Sequence, residues 1–191
     1  MTALSDLEYY GKITRAGIII REGSTPVLVL SEKDGRLHIP SKTLDVNEGL
    51  AACAVRALSE WTVGAITLKP HTLKQCSYII VEKSLYFVLP MLRSSLNMVN
   101  RIIKKNAERH TLQGSLPAFA PRILIPVPPE LYIHPTLTGI HRDRVVDHGF
   151  SFIPSPVLIA AWEQGYPTIC PELDAQSREV LVQLNNATLP T

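Results

Sequence analysis

The 191-residue sequence has no long apolar run, little charge and few cysteines. No run approaches the roughly 20 apolar residues of a membrane helix, so we expect no membrane segment. Charged side chains make up only 19 %, and 19 basic against 17 acidic residues give a formal net charge of +2, which argues against a protein held to nucleic acid by charge. Cys53, Cys76 and Cys170 are widely spaced and odd in number, which fits neither a disulfide framework nor a Cys-x-x-Cys zinc motif.

The N-terminal stretch from Met1 to Gly11 contains Asp6 and Glu8 where a signal peptide needs an apolar core, so we expect a cytoplasmic protein. Hydrophobic residues make up 46 %, which is enough for a sizeable core. The length predicts a single domain over residues 1–191. The 15 prolines, many of them after residue 116, predict a loop-rich C-terminal part.

The order of the sequence patterns predicts a mixed α+β domain. Runs of β-branched and aliphatic residues predict strands at residues 13–21, 26–30, 65–68, 77–82, 85–92 and 123–127. Apolar residues at helical spacing predict helices at residues 47–61, 96–110, 157–163 and 173–185. The first helix has Asn47 as its expected N-cap and Gly64 as its expected stop, and Asp34-Gly35 predicts a turn.

Pro40, Glu48, Arg56 and Glu60 lie in the segment from Leu37 to Val63, called the box segment, and their spacing resembles that of the Nudix box. The family pattern begins with Pro-Gly-Gly after an apolar residue, has a Glu farther along, and ends in Arg-Glu-Leu-x-Glu-Glu-x-Gly. The residues that fall in this register are Pro40, Glu48, Arg56, Leu58, Glu60 and Thr62. The departures are Ser41 and Lys42 for the two glycines, Ala57 and Trp61 for two glutamates, and Val63 for the last glycine.

This resemblance implies a Nudix-like α/β/α sandwich with a mixed β-sheet, a core at about residues 12–130 and an extension with extra C-terminal helices at about 131–191. Family members use the box carboxylates to hold Mg²⁺ or Mn²⁺ and hydrolyse a diphosphate linked to another group. Positions 57, 60 and 61 share one helix face, where three carboxylates suit hard cations. This chain has only Glu60 there, so we expect no metal, no cofactor and no ordinary Nudix hydrolysis.

Three residues of the box segment are candidate catalytic groups: Glu60, Lys42 and His38. Glu60 lies beside Trp61, where desolvation suits a carboxylate to acid–base work. Lys42 is a cation able to neutralise a ligand anion in place of a metal, and His38 alternates with apolar neighbours, which directs it toward the cleft. The alternatives are a solvated helix carboxylate, an exposed loop lysine and a histidine on the sheet surface.

Other residues of the segment have expected binding or structural roles. We expect Trp61, Arg56 and Ser41 to contact the substrate, with the indole as an apolar wall. Glu48 and Arg56 are two helical turns apart and are expected to form a structural ion pair that ties the loop to the helix.

Together these residues predict a small-molecule enzyme that has left metal-dependent diphosphate hydrolysis and carries out an isomerisation, cyclisation or elimination on a metabolite. A catalytically silent Nudix-like binding module is one alternative. Another is a residual pyrophosphohydrolase with carboxylates from outside the box, such as Glu82, Glu108 or Glu130. The expected partner is a small-molecule substrate, and a homodimer stays open.

Two further clusters have less specific patterns. The spacing of His141, Asp143, Asp147 and His148 matches no metal template, so a charged surface loop is expected. A basic helix face formed by Arg101, Lys104, Lys105 and Arg109 has no interleaved aromatic residues, so we expect a solvated face and no nucleic-acid partner.

Overall fold

The computed structural model describes residues 12–31, 36–112, 122–127, 140–141, 168–169 and 173–186. These residues contain a seven-stranded sheet with the strands β1 (Arg15–Glu22), β2 (Thr25–Ser31), β3 (Arg36–His38), β4 (Ser41–Thr43), β5 (Ser77–Val81), β6 (Ser84–Pro90) and β7 (Arg122–Pro126). The helices are α1 (Leu50–Trp61), a 3₁₀ helix (Pro70–Gln75), α2 (Arg93–Leu112) and α3 (Ala175–Asn186). Two short strands, β8 (Ile140–His141) and β9 (Thr168–Ile169), pair with each other. Within these residues, no helix has the length and apolar character needed to cross a membrane.

The sheet is mixed and is built around β1. Along one side β1 pairs in parallel with β6, and along the other it pairs antiparallel with β4 at its beginning and with β2 at its end. β3 pairs with the last residues of β2 and is followed directly by β4, so residues 36–43 lie between the diverging ends of β1 and β2. β5 pairs with β6, and β7 pairs with β2. The box segment therefore begins inside the sheet.

Alternate residues of the strands pack into two separate cores, because successive side chains point to opposite faces. On one face Ile18 and Ile20 of β1 and Phe87 of β6 pack with apolar residues of α1 and α2. On the other face Ile19 and Tyr86 pack with apolar residues of α3. The sheet is the middle layer of an α/β/α sandwich, which confirms the expected fold class.

Most of the expected elements are confirmed, with ends that differ by a few residues. The strand expected at 65–68 is wrong: the Ala65 amide donates to the Thr62 carbonyl and the Ile66 amide to the Thr62 hydroxyl, so these groups complete the end of α1. The N-cap of α1 is Gly49 and not Asn47, whose φ of 62° places it in a left-handed turn before the helix. The 3₁₀ helix was not expected, and the turn at 34–35 and the helix at 157–163 lie outside the described residues.

Helix α1 ends in a Schellman motif. The Gly64 amide donates to the Ser59 carbonyl (2.7 Å) and the Val63 amide to the Glu60 carbonyl (3.3 Å). Val63 has a φ of 54°, at the position where this motif favours glycine. This position is also the one where the Nudix pattern has its last glycine. The Val63 side chain is buried in the core, and its burial offsets backbone strain.

Candidate functional site

An ion pair joins the loop of the box segment to α1. Arg56 donates from Nε to Glu48 Oε2 (2.9 Å) and from Nη2 to Glu48 Oε1 (3.0 Å), so the contact has two points. Nη2 of Arg56 also donates to the Thr43 carbonyl (3.0 Å), and the Asp45 amide donates to Glu48 (3.0 Å). The Arg56 guanidinium lowers the pKa of Glu48 from 4.5 to about 2. The ion pair expected from the sequence is present.

Glu60 has a cation near each of its carboxylate oxygens. Nζ of Lys42 lies 3.0 Å from Oε2, and Nη1 of Arg56 lies 3.7 Å from Oε1. The Glu60 side chain is 48 % exposed, so this pair is solvated and not enclosed. The Cys53 thiol of α1 donates to the Lys42 carbonyl (3.3 Å), which holds β4 beside the helix. A divalent cation at Glu60 would have to compete with these two side-chain cations.

Ser41, the first residue of β4, is held by hydrogen bonds from two directions. Its carbonyl accepts from Nε1 of Trp61 (3.1 Å) and from Nη2 of Arg15 (3.2 Å), and its hydroxyl accepts from Nε of Arg15 (2.9 Å). The approach of β4 to β1 requires Gly17, because a Cβ there would collide with the Pro40 carbonyl oxygen and lie 2.7 Å from the Ser41 Cβ. The glycine of β1 therefore sets the position of this part of the site.

A cavity of about 240 Å³ lies between the box segment and α3. The sheet and α1 line it with Arg15, His38, Ile39, Ser41, Trp61 and Tyr86. Leu37 and Ile39 pack into the core on the α3 side, whereas the His38 ring lies 4.9 Å from the Trp61 ring at an interplanar angle of 35°. His38 therefore reaches the cavity beside an aromatic wall.

The beginning of α3 closes the cavity with Asp174, Gln176 and Ser177. The Asp174 carboxylate accepts from the Ser177 amide and hydroxyl, each at 3.2 Å, and so caps the helix. The Asp174 amide donates to the Leu37 carbonyl (2.9 Å), and the Ile39 amide donates to the Ser177 hydroxyl oxygen (2.9 Å). These bonds fasten α3 to β3, so the C-terminal part of the chain supplies one wall of the cavity.

Tyr86 brings a phenol from β6 into the same cavity. Its oxygen accepts a hydrogen bond from Nε2 of Gln176 (3.0 Å), which also donates to the Ser84 hydroxyl (3.2 Å). Burial raises the pKa of Tyr86, so the phenol keeps its proton at neutral pH. It remains a neutral phenol that is hydrogen-bonded to its neighbours in the cavity wall.

The site residues expected from the sequence divide between two places. The cavity contains His38, Ser41 and Trp61. The neighbouring ion-pair cluster contains Glu48, Arg56, Glu60 and Lys42. Lys42 and Glu60 do not line the cavity. Each is the sequence neighbour of a cavity residue, since Lys42 follows Ser41 and Glu60 precedes Trp61.

Sequence reasoning missed the cavity residues from β1, β6 and the beginning of α3, which are Arg15, Tyr86, Asp174, Gln176 and Ser177. Tyr86 gave a usable signal, because it is a residue with a polar tip in an otherwise apolar strand. Asp174 and Gln176 gave none, because their place depends on where α3 docks against the sheet.

The other candidate clusters form no metal site in the part of the chain that the structure describes, where no three His, Cys, Asp or Glu side chains come together. Glu82 lies in the turn between β5 and β6, and Glu108 lies exposed on α2. The basic residues at 101, 104, 105 and 109 are exposed on α2, as a solvated face requires. Glu130 and the residues at 143, 147 and 148 lie outside the described residues, as does the side chain of His141.

Comparisons with known proteins gave little. Neither the family models nor the curated proteins contain a match to this chain. Among solved structures, a crystal structure of Ap4A hydrolase from C. elegans is similar at 18 % sequence identity and a TM-score of 0.28, covering 56 % of this chain and 98 % of that chain. These values are too low to assign a fold or an activity.

Proposed function

We propose that this chain is a Nudix-related small-molecule enzyme with a degenerate box, which acts without the divalent metal of that family. The charge arrangement at Glu60 carries the proposal. Of the three positions that supply carboxylates in the family pattern, Ala57 is buried and apolar, and Trp61 directs its N–H to a backbone carbonyl. Glu60 lies between two side-chain cations, one of which is Lys42 at 3.0 Å. Such a helix face has little left to hold Mg²⁺.

Acid–base chemistry in the cavity replaces the metal in this proposal. His38 lines the cavity, and an imidazole can both accept and donate a proton in acid–base catalysis. Trp61 supplies the apolar wall against which the substrate lies. Lys42 and Glu60 are the second proposed acid–base pair, next to the cavity along the chain. Isomerisation, cyclisation and elimination each need such proton transfers and no hydrolytic water.

Calorimetric titration with Mg²⁺ and Mn²⁺ tests the absence of a metal site. We expect no saturable binding below about 1 mM in the unaltered protein, and no magnesium-dependent cleavage of ADP-ribose or Ap4A, because Glu60 is a single carboxylate with cations already beside it. The Lys42→Ala variant is the matched control, since it removes the nearer cation and leaves only one carboxylate. Tight stoichiometric binding to the unaltered protein would overturn the proposal.

The enzymatic part is tested by proton exchange. Small organic acids are incubated with the protein in D₂O and EDTA, and deuterium incorporation or conversion is followed by NMR. We expect His38→Gln to abolish turnover, and Glu60→Gln and Lys42→Ala to reduce it at least about tenfold with little change in melting temperature, as for acid–base groups. Glu108→Gln, an exposed carboxylate on α2, is the control. Turnover unchanged in all three test variants removes them from the mechanism.

A silent binding module is the second candidate, and one observation favours it. Lys42 and Glu60 pair with each other outside the cavity lining, so two of the expected catalytic groups have a structural role available to them. Saturable binding of a small molecule with no turnover of it in the D₂O experiment selects this candidate.

A further inference from the structure

The cavity has two opposite charges that are not paired with each other. Arg15 and Asp174 both line it, and the structure has no salt bridge from Arg15 to any carboxylate within the described residues. Nε and Nη2 of Arg15 donate to Ser41, which fixes the plane of the guanidinium. A fixed guanidinium with donor capacity left is a good partner for a planar oxyanion.

The cavity also contains a neutral phenol and the carboxylate of Asp174. The Tyr86 hydroxyl accepts from Gln176 and has further hydrogen-bond contacts with Ser84 and Ser41, so it is a neutral polar group of the cavity wall. The Asp174 carboxylate uses one oxygen, Oδ2, for its two bonds to Ser177. A carboxylate has about four acceptor positions, so Asp174 retains capacity for a hydroxyl or amino group of a ligand.

The volume of the cavity limits the size of its ligand. About 240 Å³ lies below the roughly 300–1,000 Å³ typical of pockets that enclose drug-sized molecules. A compact ligand fills such a volume, whereas a nucleoside diphosphate linked to a second group would extend out of its open side. The His38 and Trp61 rings provide one face, so the ligand also has a part that lies flat against aromatic side chains.

We propose that the cavity between the box segment and α3 binds a compact organic acid, whose carboxylate contacts Arg15 and whose hydroxyl or amino group contacts Asp174. The inference rests on the proposed function, because it names the substrate class of the same cavity. The shared chemistry is an acid with a nearby hydrogen-bond donor, and hydroxy acids and amino acids are its two sources.

Binding measured in EDTA tests this inference. The probes are L-malate and D-glycerate as hydroxy acids, L-aspartate and L-serine as amino acids, and AMP as a larger anion. We expect saturable binding by calorimetry for at least one small acid and none for AMP. Arg15→Gln is expected to weaken that binding at least tenfold. Arg21→Gln, which changes an arginine of the same strand outside the cavity, is expected to leave it unchanged.

The Asp174→Asn variant separates the two sources. This variant loses the charge opposite an ammonium group but keeps an acceptor for a hydroxyl. It is therefore expected to lower the affinity for an amino acid at least tenfold and the affinity for a hydroxy acid less than threefold. If Arg15→Gln does not give a folded protein by circular dichroism, Arg15→Lys replaces it as the test variant. Lysine keeps the charge but loses the two hydrogen bonds that fix the guanidinium on Ser41, so a reduced affinity for the acid is again expected.

The inference is overturned if none of the four small acids binds, or if Arg15→Gln and Arg21→Gln bind them equally well. These outcomes are distinct from failure of the proposed function. Metal binding at Glu60 would overturn that function and leave acid binding in EDTA intact, and acid binding without turnover would support the binding site while removing the enzyme.

Discussion

Glu48 is a single carboxylate whose ionisation depends on one neighbour. Arg56 lowers its pKa from 4.5 in the unfolded chain to about 2 in the folded protein. A lowered pKa means that the ion pair stabilises the fold fully above about pH 4.5, and that this contribution is lost as the pH falls from 4.5 toward 2. The Glu48 side chain is 14 % exposed, so after allowance for screening the contribution is on the order of 2 kcal/mol.

Glu48→Gln is therefore expected to lower stability at pH 7 and to have a smaller effect as the solution is acidified. Urea unfolding at pH 7, 4 and 2.5 measures the difference from the unaltered protein. Glu108→Gln, at an exposed position, is expected to show almost no difference at any of these values. A Glu48→Gln effect that is constant with pH would mean that the ion pair does not stabilise the fold.

At this scale the sequence predicted one ion pair and missed another. Glu48 and Arg56 lie two helical turns apart along a continuous stretch of chain, so their spacing was informative. The contact between Lys42 and Glu60 depends on β4 pairing with β1 and lying beside α1. Such a contact is a product of sheet topology, which residue spacing does not contain.

At the scale of elements, two residues with positive φ angles of similar size lie in different surroundings. Glu82 (φ 56°) is exposed in the two-residue turn between β5 and β6, and Val63 (φ 54°) is buried at the end of α1. Left-handed backbone costs a non-glycine residue about 1–2 kcal/mol. Of these two residues, only Val63 offsets this free-energy cost by burying its side chain, and full burial of such a side chain contributes about 1.5–3 kcal/mol.

Glycine at the two positions is therefore expected to have opposite effects. Glu82→Gly removes strain and no buried surface, and should raise the free energy of unfolding by about 1 kcal/mol. Val63→Gly removes strain together with the buried side chain, and should lower it by about 1 kcal/mol. Denaturant melts of both variants measure this. A stabilised Val63→Gly would show that strain outweighs burial at the end of α1.

Gly17 joins two elements more closely than any other residue type allows. Its missing side chain lets β4 lie against β1, with Pro40, Ser41 and Tyr86 within the volume that a Cβ would need. Gly17→Ala is expected to destabilise the protein by about 1–3 kcal/mol, as overpacking does, and to displace Ser41 at the cavity. Gly23→Ala, in an open turn with a φ of 60°, is the control for backbone strain without a clash. Calorimetric melting compares the two, and an equal loss in both would remove the close-packing explanation.

The strands and helices around the contact between β1 and β4 could be predicted from local patterns, because alternation and helical spacing are properties of a short stretch of sequence. The insertion of residues 36–43 between β1 and β2 was not readable, since it depends on which strand edges remain open after the first hairpin forms. The strand expected at 65–68 was wrong for a separate reason: Thr62 accepts the amides of Ala65 and Ile66, which have the composition of a strand.

At the scale of the whole molecule, the C-terminal part completes both the fold and the site. Helix α3 covers the second face of the sheet with Val180 and Leu181, together with Leu173 just before the helix, and the residues at its beginning line the cavity. The helical periodicity of α3 could be recognised in the sequence, but its packing position could not. An apolar stripe indicates that one face of a helix is buried, and it does not indicate against which surface that face packs. The cavity is therefore lined by residues that are more than 130 positions apart in the chain.

Ser177 is the hydroxyl that fastens α3 to the sheet, and its removal tests this coupling. Ser177→Ala leaves the Ile39 amide buried without its acceptor, so we expect a loss of about 1–3 kcal/mol in the free energy of unfolding. Hydrogen exchange at the Ile39 amide is expected to accelerate, because α3 opens more often. Ser177→Thr keeps the hydroxyl, and Asn185→Ala changes an exposed residue of the same helix. If Ile39 stays as protected in Ser177→Ala as in Asn185→Ala, the hydrogen bond does not hold α3 on the sheet, and the hydrophobic contact of its buried stripe alone determines where it lies.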